Sequence, residues 1–234
     1  MERTTVEEVL EATRGKLLRG DIRAVVSGIS IDSRTVRAGE LFLALKGERY
    51  DGHDFVEDAV HKGAMGIIIA ENRKPKTKNR KLIAIQVPDS LKALQDVARH
   101  YRNKFNIPLV VITGTNGKTT TKDMVAAILG RKLNVLKAEG SFNNEVGVPL
   151  TLLRLSASHQ AAVLEVGMSA PGEIACLARL IRPQVGAITN IGRAHLEFFQ
   201  DVEEVARAKA ELVEVLGEED TLVLNRDDRR GWAL

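Results

Sequence analysis

Residues 110–120, Val-Val-Ile-Thr-Gly-Thr-Asn-Gly-Lys-Thr-Thr, constrain the fold of this 234-residue chain more than any other segment. An apolar β-branched run ends at Gly114, a short loop leads to Lys118, and apolar residues at helical spacing follow. Strand, glycine loop, Lys-Thr and helix form the layout of a phosphate-binding loop, in which backbone N–H groups and the helix N-terminus face an anion. The alternative is an ordinary glycine turn followed by a chance Lys-Thr.

The spacing of this loop departs from the common phosphate-loop pattern. Ile112 stands five positions before Gly117, where the common pattern has glycine. We therefore predict a shortened variant of the loop, in which the lysine neutralises phosphate oxygens and a hydroxyl binds Mg²⁺. The candidate nucleotide-binding residues are consecutive: Gly114, Thr115, Asn116, Gly117, Lys118, Thr119 and Thr120.

Strands and helices alternate along the rest of the chain from this loop onward, which predicts a mostly parallel sheet with flanking helices. The expected strands are 109–113, 135–137, 161–167, 185–191 and 221–224, and the expected helices are 118–129, 148–155, 172–181 and 202–216. Before the loop, shorter strands and helices end in a helix over 90–105, which Asn106 and Pro108 terminate. We predict a small N-terminal α/β domain, 1–105, and a phosphate-loop domain, 106–234.

Composition narrows the class of protein. The formal net charge of +3 permits anionic ligands without indicating nucleic acid, and the basic run 72–81 has no aromatic residue to stack on a base. Cys176 is the only cysteine, which suits a reducing cytoplasm. The N-terminus carries acidic residues, and no apolar run approaches the roughly 20 residues of a membrane span. We expect a cytoplasmic protein with no membrane insertion.

Two residues lie just after predicted parallel strands, where ligands gather in such sheets. Glu165 is placed to hold Mg²⁺ directly or through water, and the alternative is a solvated carboxylate. His195 could be a metal ligand, a substrate contact or a plain loop histidine. The adjacent pair Asn143-Asn144 lies between glycines and could serve turn geometry or hydrogen-bond a polar ligand.

Lys209 interrupts an apolar stripe at helical spacing, formed by Val202, Val205, Leu212 and Leu216. The side chain could extend its ammonium group to solvent along its own methylenes. Alternatively, burial lowers its pKa and makes a neutral amine available. A neutral amine can react with CO₂ to form a carbamate, which would be a carboxylate-like metal ligand.

Over nearly its whole length the chain resembles the Mur ligases. The motifs that carry the resemblance are residues 32–34, 41–47 and 51–55 in the first domain, and 114–122, 142–151, 165–168, 171–174, 189–192, 194–197 and 208–211 in the second. The segments Asn-Asn-Glu-Val-Gly-Val-Pro and Pro-Gly-Glu-Ile are similar to those of the members that add D-alanyl-D-alanine.

The resemblance implies a role for each candidate residue. The N-terminal domain would bind the UDP part of UDP-N-acetylmuramoyl-tripeptide through Ser33, Arg34, Lys46, Asp51 and His53, and Asn143 and Asn144 would also contact substrate. In the second domain Lys118 and the loop amides would bind ATP, and Thr119 would bind the first of two Mg²⁺ ions. Glu165, His195 and a carbamylated Lys209 would hold metal, and Lys118, Lys209 and His195 would be the catalytic residues.

The implied activity is ATP-dependent amide ligation, which joins D-Ala-D-Ala to the UDP-tripeptide through an acyl phosphate in peptidoglycan synthesis. Family members run on for about as long again and end in a further domain, so the resemblance implies a monomeric fragment that does not complete turnover alone. The alternatives are a non-catalytic nucleotide- or UDP-sugar-binding module, another Mur ligase such as the tripeptide synthetase, and a plain phosphate-loop ATPase or switch.

Overall fold

The computed structural model describes residues 1–74, 77, 79, 81–193 and 199–234. These residues form two compact units, Met1–Tyr101 and Arg102–Leu234. Each unit is a mixed α/β structure with a five-stranded sheet, which confirms the predicted fold class. The division along the chain falls at the end of the helix Ser90–Arg102, and the domain bounds 1–105 and 106–234 stay a prediction.

The first unit contains a five-stranded sheet and a separate pair of two-residue strands. Its strands are β1 Thr4–Thr5, β2 Lys16–Arg19, β3 Val25–Val26, β4 Gly28–Ser30, β5 Glu40–Leu43, β6 Gly66–Ala70 and β7 Ile83–Val87. Its helices are α1 Val6–Thr13, a 3₁₀ helix Gly52–Phe55, α2 Val56–His61 and α3 Ser90–Arg102. The sheet order is β2-β7-β6-β5-β4, with β2 antiparallel to β7 and the other pairs parallel.

The inner strands of this sheet are buried on both faces, which is why they read as unbroken apolar runs. In β5 and β6, residues 41–43 and 67–69 are at most 1% exposed. The apolar stretch from Val25 to Ser30 forms two strands, because its two halves pair with different partners: β3 pairs with β1, and β4 pairs with β5. The sequence did not reveal β2, a short edge strand that depends on its pairing with β7.

The second unit is built on five parallel strands with helices between them. Its strands are β8 Leu109–Thr113, β9 Val135–Lys137, β10 Ala161–Glu165, β11 Val185–Ile188 and β12 Thr221–Leu224. Its helices are α4 Lys118–Leu129, α5 Gly147–Leu152, α6 Glu173–Ile181, α7 Val202–Val215 and α8 Arg229–Trp232. The order is β12-β11-β8-β10-β9, and every neighbouring pair is parallel.

The strand order places the phosphate-loop strand β8 at the centre of the sheet. After β8 the chain forms β9 and β10 on one side and then crosses to form β11 and β12 on the other. Ligands of open parallel sheets bind at the carboxyl ends of the strands where the order reverses in this way. The carboxyl ends of β8, β10 and β11 therefore define the candidate site.

Two strands end earlier than the sequence predicts, and both end at this edge. The expected strand over 161–167 stops at Glu165, and the N–H of Gly167 donates to the carbonyl of Asn143 at 2.8 Å. The expected strand over 185–191 stops at Ile188, and the following residues hydrogen-bond to the loop after β8. In both segments the apolar sequence continues beyond the end of the strand, but the residues there hydrogen-bond to loops instead of to neighbouring strands.

Within the part of the chain that the structure describes, no helix is long and apolar enough to cross a membrane.

Candidate active site

Two glycines give the loop between β8 and α4 its shape. Gly114 has a φ of +146°, and a Cβ atom there would lie 1.9 Å from the Thr189 hydroxyl. Gly117 has a φ of +79°, in the left-handed region that glycine adopts without strain. Apart from its neighbours in the chain, none of the described residues has an atom within 4 Å of the position of a Cβ at Gly117, which directly precedes the N-terminus of α4.

The residues that follow β11 hold this loop in place through hydrogen bonds. The N–H groups of Thr115 and Asn116 donate to the backbone and side-chain oxygens of Asn190, each at 2.9 Å. The Thr189 hydroxyl and the Asn190 amide donate to the Asn116 carbonyl at 2.6 and 3.1 Å. The N–H of Gly192 donates to the Thr115 hydroxyl at 2.9 Å.

These contacts decide which backbone donors can face a ligand. The N–H groups of Thr115 and Asn116 are already engaged, whereas the first N–H groups of α4 have no acceptor within the helix. An anion is therefore best received at Gly117 and the first turn of α4. Thr189 and Asn190 were not among the predicted site residues, although Thr-Asn directly after a parallel strand was a usable signal.

Lys118 lies against the loop that precedes it. Its ammonium group donates to the carbonyls of Gly114 at 2.9 Å and Thr115 at 3.2 Å. The side chain is partly buried and lines the cavity at the edge of the sheet. The charge therefore lies beside the N-terminus of α4, where both attract an anion.

Glu165, at the end of β10, is 2% exposed and accepts two hydrogen bonds. The Thr119 hydroxyl donates to one carboxylate oxygen, and the Asn143 side-chain amide donates to the other, each at 2.7 Å. Both donors are neutral, so neither hydrogen bond brings a positive charge to the buried carboxylate of Glu165. Hydroxyl and carboxylate oxygens are ligands that Mg²⁺ prefers, and Mg²⁺ sites often use one or two carboxylates.

No group of three or more His, Cys, Asp or Glu side chains forms a metal site among the described residues. The donor set at this edge is instead one carboxylate and one hydroxyl, which suits an ion that keeps water and binds substrate phosphates. The residues present therefore fit a nucleotide-bound Mg²⁺ ion. His195, predicted as a metal ligand and catalytic residue, lies outside the described residues, as do 194 and 196–198.

Lys209 lies on α7 and is 3% exposed. Burial, and secondarily the charge of Lys118, lowers its pKa from 10.5 to about 8. The side chain lines a cavity of about 300 Å³, whose wall also includes Thr115, Lys118, Asn143, Asn144 and Glu173. Lys209 thus shares one cavity with the phosphate-loop lysine and the Asn-Asn pair, and its lowered pKa favours the neutral amine that a carbamate requires. The carbamate itself stays a prediction.

Glu211 lies two residues after Lys209 on α7 and connects α7 to α6. Its carboxylate accepts hydrogen bonds from the N–H groups of Gly172 at 2.6 Å and Ala175 at 3.0 Å. A carboxylate at a helix N-terminus satisfies unpaired donors and interacts favourably with the helix dipole. Glu211 therefore stabilises the start of α6, which contributes Glu173 to the wall of the cavity.

In the first unit, Asp51 and His53 form a partly buried network. His53 is 5% exposed, with its Nδ1 atom 2.6 Å from the Asp51 carboxylate. Its Nε2 atom accepts from the N–H of Ala70 at 3.1 Å, so the neutral ring carries its proton on Nδ1. Asp51 also pairs with Arg73. These contacts fix the turn next to Lys46. The Lys46 side chain is exposed, and its backbone forms an isolated antiparallel β-bridge with Asp51.

A second cavity, of about 610 Å³, lies in the first unit near the other predicted substrate residues. Ser33 and Arg34 line it, and Arg34 forms a salt bridge of 2.7 Å with Asp32, which lowers the pKa of that carboxyl to about 2. Tyr50 and Phe55 add two aromatic rings, with centroids 6.4 Å apart in an edge-to-face arrangement. The sequence did not single out these two rings as site residues.

Together with the strand order, the contacts around Gly117 and Glu165 define the class: a parallel-sheet protein with a phosphate-binding loop and an oxygen-ligand site beside it. The family described as Mur ligase middle domain matches residues 112–233, and that described as Mur ligase family, catalytic domain, matches residues 25–102. The chain belongs to the Mur ligase family, as its motifs predict.

Several curated relatives bear the name UDP-N-acetylmuramoyl-tripeptide--D-alanyl-D-alanine ligase. The protein from Bacillus subtilis is 39% identical over 97% of this chain and 50% of its own length. The protein from Synechocystis is 41% identical over 90% of this chain and 46% of its own length. The chain thus spans about half the length of the curated relatives it matches.

Solved structures give the same picture. A crystal structure of MurF from Acinetobacter baumannii superposes with a TM-score of 0.91 at 33% identity, and the match covers 99% of this chain and 50% of that one. MurF from Thermotoga maritima, in complex with ADP, superposes with a TM-score of 0.76 at 36% identity over 85% of this chain and 46% of that one.

Proposed function

We propose that this chain carries the UDP-substrate-binding and ATP-binding parts of an ATP-dependent amide ligase of peptidoglycan synthesis. The proposed reaction joins D-alanyl-D-alanine to UDP-N-acetylmuramoyl-tripeptide. The observation that carries the proposal is the Thr119–Glu165 contact of 2.7 Å beside the glycine loop, because it pairs a hydroxyl of the first turn of α4 with a buried carboxylate, and both are oxygen ligands suited to the Mg²⁺ of a bound nucleotide. Relatives that align with 97% and 90% of the chain carry the name of this ligase, which supports the choice of substrates.

The proposed ATP-binding part is the domain 106–234. Gly117 and the first turn of α4 would receive the phosphates, and Lys118 would offset their negative charge. Thr119 and Glu165 would hold Mg²⁺, with His195 and a carbamylated Lys209 as further ligands. A magnesium ion held there would supply positive charge to the phosphate oxygens. The ADP in the Thermotoga maritima structure, at 36% identity, supports the choice of nucleotide.

The proposed UDP-binding part is the domain 1–105. Ser33 and Arg34 line the cavity of about 610 Å³, and Arg34 is a cation suited to a diphosphate. Lys46 adds a second exposed cation next to the turn that Asp51 and His53 fix. The site therefore offers charge, hydroxyl and aromatic groups, which match the parts of a uridine diphosphate.

The proposed chemistry proceeds in two balanced steps. The terminal carboxylate of the UDP-tripeptide attacks the γ-phosphorus of ATP, and the bond to ADP breaks. The amine of D-Ala-D-Ala then attacks the acyl carbon of the acyl phosphate, which releases phosphate and a proton. Lys118 favours the first step because a carboxylate and a triphosphate otherwise repel each other. Asn143 and Asn144 line the same cavity as Lys118 and are proposed to contact substrate there.

Calorimetric titration with UDP-N-acetylmuramoyl-tripeptide tests the substrate assignment. We expect binding by the wild-type chain and binding at least ten-fold weaker in Arg34→Ala, since a charged hydrogen bond contributes about 1.5–3 kcal/mol. Arg37→Ala is the matched control, because Arg37 is exposed and does not line the cavity. Equal affinity of all three chains would contradict the assignment. Release of ADP with both substrates present measures the ligation chemistry itself.

A cytoplasmic location and a monomeric state are part of the proposal. Cys176 is the only cysteine, and it is exposed and unpaired, which suits a reducing compartment. Sedimentation equilibrium of the purified chain measures the oligomeric state, and a stable dimer would contradict that part of the proposal.

A further inference from the structure

Lys122 is a charged residue buried in the second unit, and no role in the proposed reaction accounts for it. It lies on α4, one turn beyond Lys118, and is 1% exposed. Its ammonium group donates to the backbone carbonyl of Gly140 at 2.8 Å. A carboxylate oxygen of Asp123 is 3.7 Å away, on a side chain that is 48% exposed. A buried ammonium group is costly in free energy unless it is well paired.

The carbonyl that receives this hydrogen bond belongs to the loop between β9 and α5, residues 138–146. This loop carries Asn143, whose side chain donates to Glu165 at 2.7 Å and whose carbonyl accepts from Gly167 at 2.8 Å. Lys122 and Gly167 therefore hold the loop at two points, three residues apart. The second of these points is Asn143 itself, whose side-chain amide donates to the buried carboxylate of Glu165.

The orientation of Glu165 matters because its two oxygens have different partners. One oxygen accepts from Asn143 and the other from Thr119. A shift of the loop would release the first oxygen and let the carboxylate turn away from the Thr119 hydroxyl. Methionine has nearly the size of lysine and would fill the same space without a desolvated charge. The hydrogen bond to Gly140 therefore explains a lysine at position 122 better than packing does.

We propose that Lys122 is a positioning residue for the magnesium site: its bond to Gly140 fixes the 138–146 loop so that Asn143 orients Glu165. This inference rests on the proposed function, in which Thr119 and Glu165 hold the Mg²⁺ ion of a bound nucleotide. Lys122 touches neither the ion nor the nucleotide in this account. Its removal should therefore change the dependence of nucleotide binding on Mg²⁺ and leave metal-free binding as it was.

The test is calorimetric titration of the 234-residue chain with ADP, in EDTA and over a series of Mg²⁺ concentrations. For Lys122→Met we expect about ten-fold more Mg²⁺ to be needed for half-maximal tightening, with unchanged affinity in EDTA. Asn143→Ala should give the same shift, and the double variant should add nothing further, because both act through one contact chain. Lys122→Gln, which keeps N–H donors without charge, should lie between wild type and Lys122→Met.

Lys137→Met is the matched control. Lys137 is 43% exposed and pairs with Asp123 at 2.9 Å, so its loss removes one lysine charge nearby without touching Gly140. Its Mg²⁺ dependence should equal that of the wild type.

Three results would overturn the proposal: an unchanged Mg²⁺ dependence in Lys122→Met, additive shifts in the double variant, or an equal loss of affinity with and without Mg²⁺. Loss of cooperative melting in both Lys122 variants would assign the residue to the stability of the unit and would overturn the positioning role as well. Failure of the proposed function looks different, because the wild-type chain would then not bind ADP at any Mg²⁺ concentration.

Discussion

Replacing Lys209 with methionine is expected to stabilise the second unit at neutral pH. Burial lowers the pKa of this lysine from 10.5 to about 8, and each pKa unit corresponds to about 1.4 kcal/mol. Holding the side chain as a cation in the folded state therefore costs about 3 kcal/mol at pH 7. Methionine is similar in size and carries no charge, so Lys209→Met should regain most of that free energy.

The sign of the pH dependence follows from the two protonation states. Below pH 8 the folded and unfolded chains both bind the proton, and the cost is present in full. Between pH 8 and 10.5 the unfolded chain keeps the proton and the folded chain releases it, so wild-type stability rises with pH. The advantage of Lys209→Met should accordingly be about 3 kcal/mol at pH 7 and should shrink steadily up to pH 10.

Urea denaturation at pH 7, 8, 9 and 10 measures both effects, in buffers free of CO₂, nucleotide and Mg²⁺. The fluorescence of Trp232 reports on the second unit, because it is the only tryptophan of the chain. Lys132→Met is the control, since Lys132 is exposed and its replacement should change stability by at most about 0.5 kcal/mol. A Lys209 variant that is no more stable than wild type at pH 7, with a gap that does not change with pH, would refute the reasoning.

Three further predictions concern other contacts of the two sites. Asn190→Ala should weaken ADP binding several-fold in calorimetry, because the loop loses the two hydrogen bonds between the Asn190 side chain and the backbone of Asn116. An unchanged affinity would contradict this. Glu211→Gln should lower the free energy of unfolding by about 1 kcal/mol in urea, since the α6 N-terminus loses a charged acceptor. Arg34→Ala should raise the pKa of Asp32 from about 2 toward 3.8 in an NMR titration, and a pKa that stays near 2 would contradict the role of Arg34.

The parts of the fold that were predictable are those that local sequence specifies. The phosphate loop could be recognised because Gly114, Gly117 and Lys118 lie within five residues of one another, and the glycine conformations are properties of the loop itself. The strands β8 and β10 could be recognised because each is an apolar run buried on both faces. The lysine amid the apolar stripe of α7 was visible from helical spacing alone, but that spacing left open whether its ammonium group reaches solvent, and the structure shows a side chain that is 3% exposed.

The parts that escaped prediction depend on residues distant in sequence. Asn190 supports Asn116 across 74 positions, and no local pattern pairs them. The bond from Lys122 to Gly140 depends on where the 138–146 loop lies after folding. The edge strand β2 forms through pairing with β7, and its own four residues include two charged side chains. Sheet order and such tertiary contacts are set by packing, which periodicity does not encode.

Nucleotide binding by the wild-type chain, Lys118→Met and Glu165→Gln tests the central claim most directly. Calorimetric titration with ADP, with and without Mg²⁺, should show binding by the wild type that Mg²⁺ tightens. Lys118→Met should bind at least ten-fold more weakly under both conditions, since a charged contact to phosphate is lost. Glu165→Gln should keep its metal-free affinity and lose the tightening by Mg²⁺. Equal binding by all three chains, or no binding by the wild type, would contradict the assignment of this loop as a magnesium-nucleotide site.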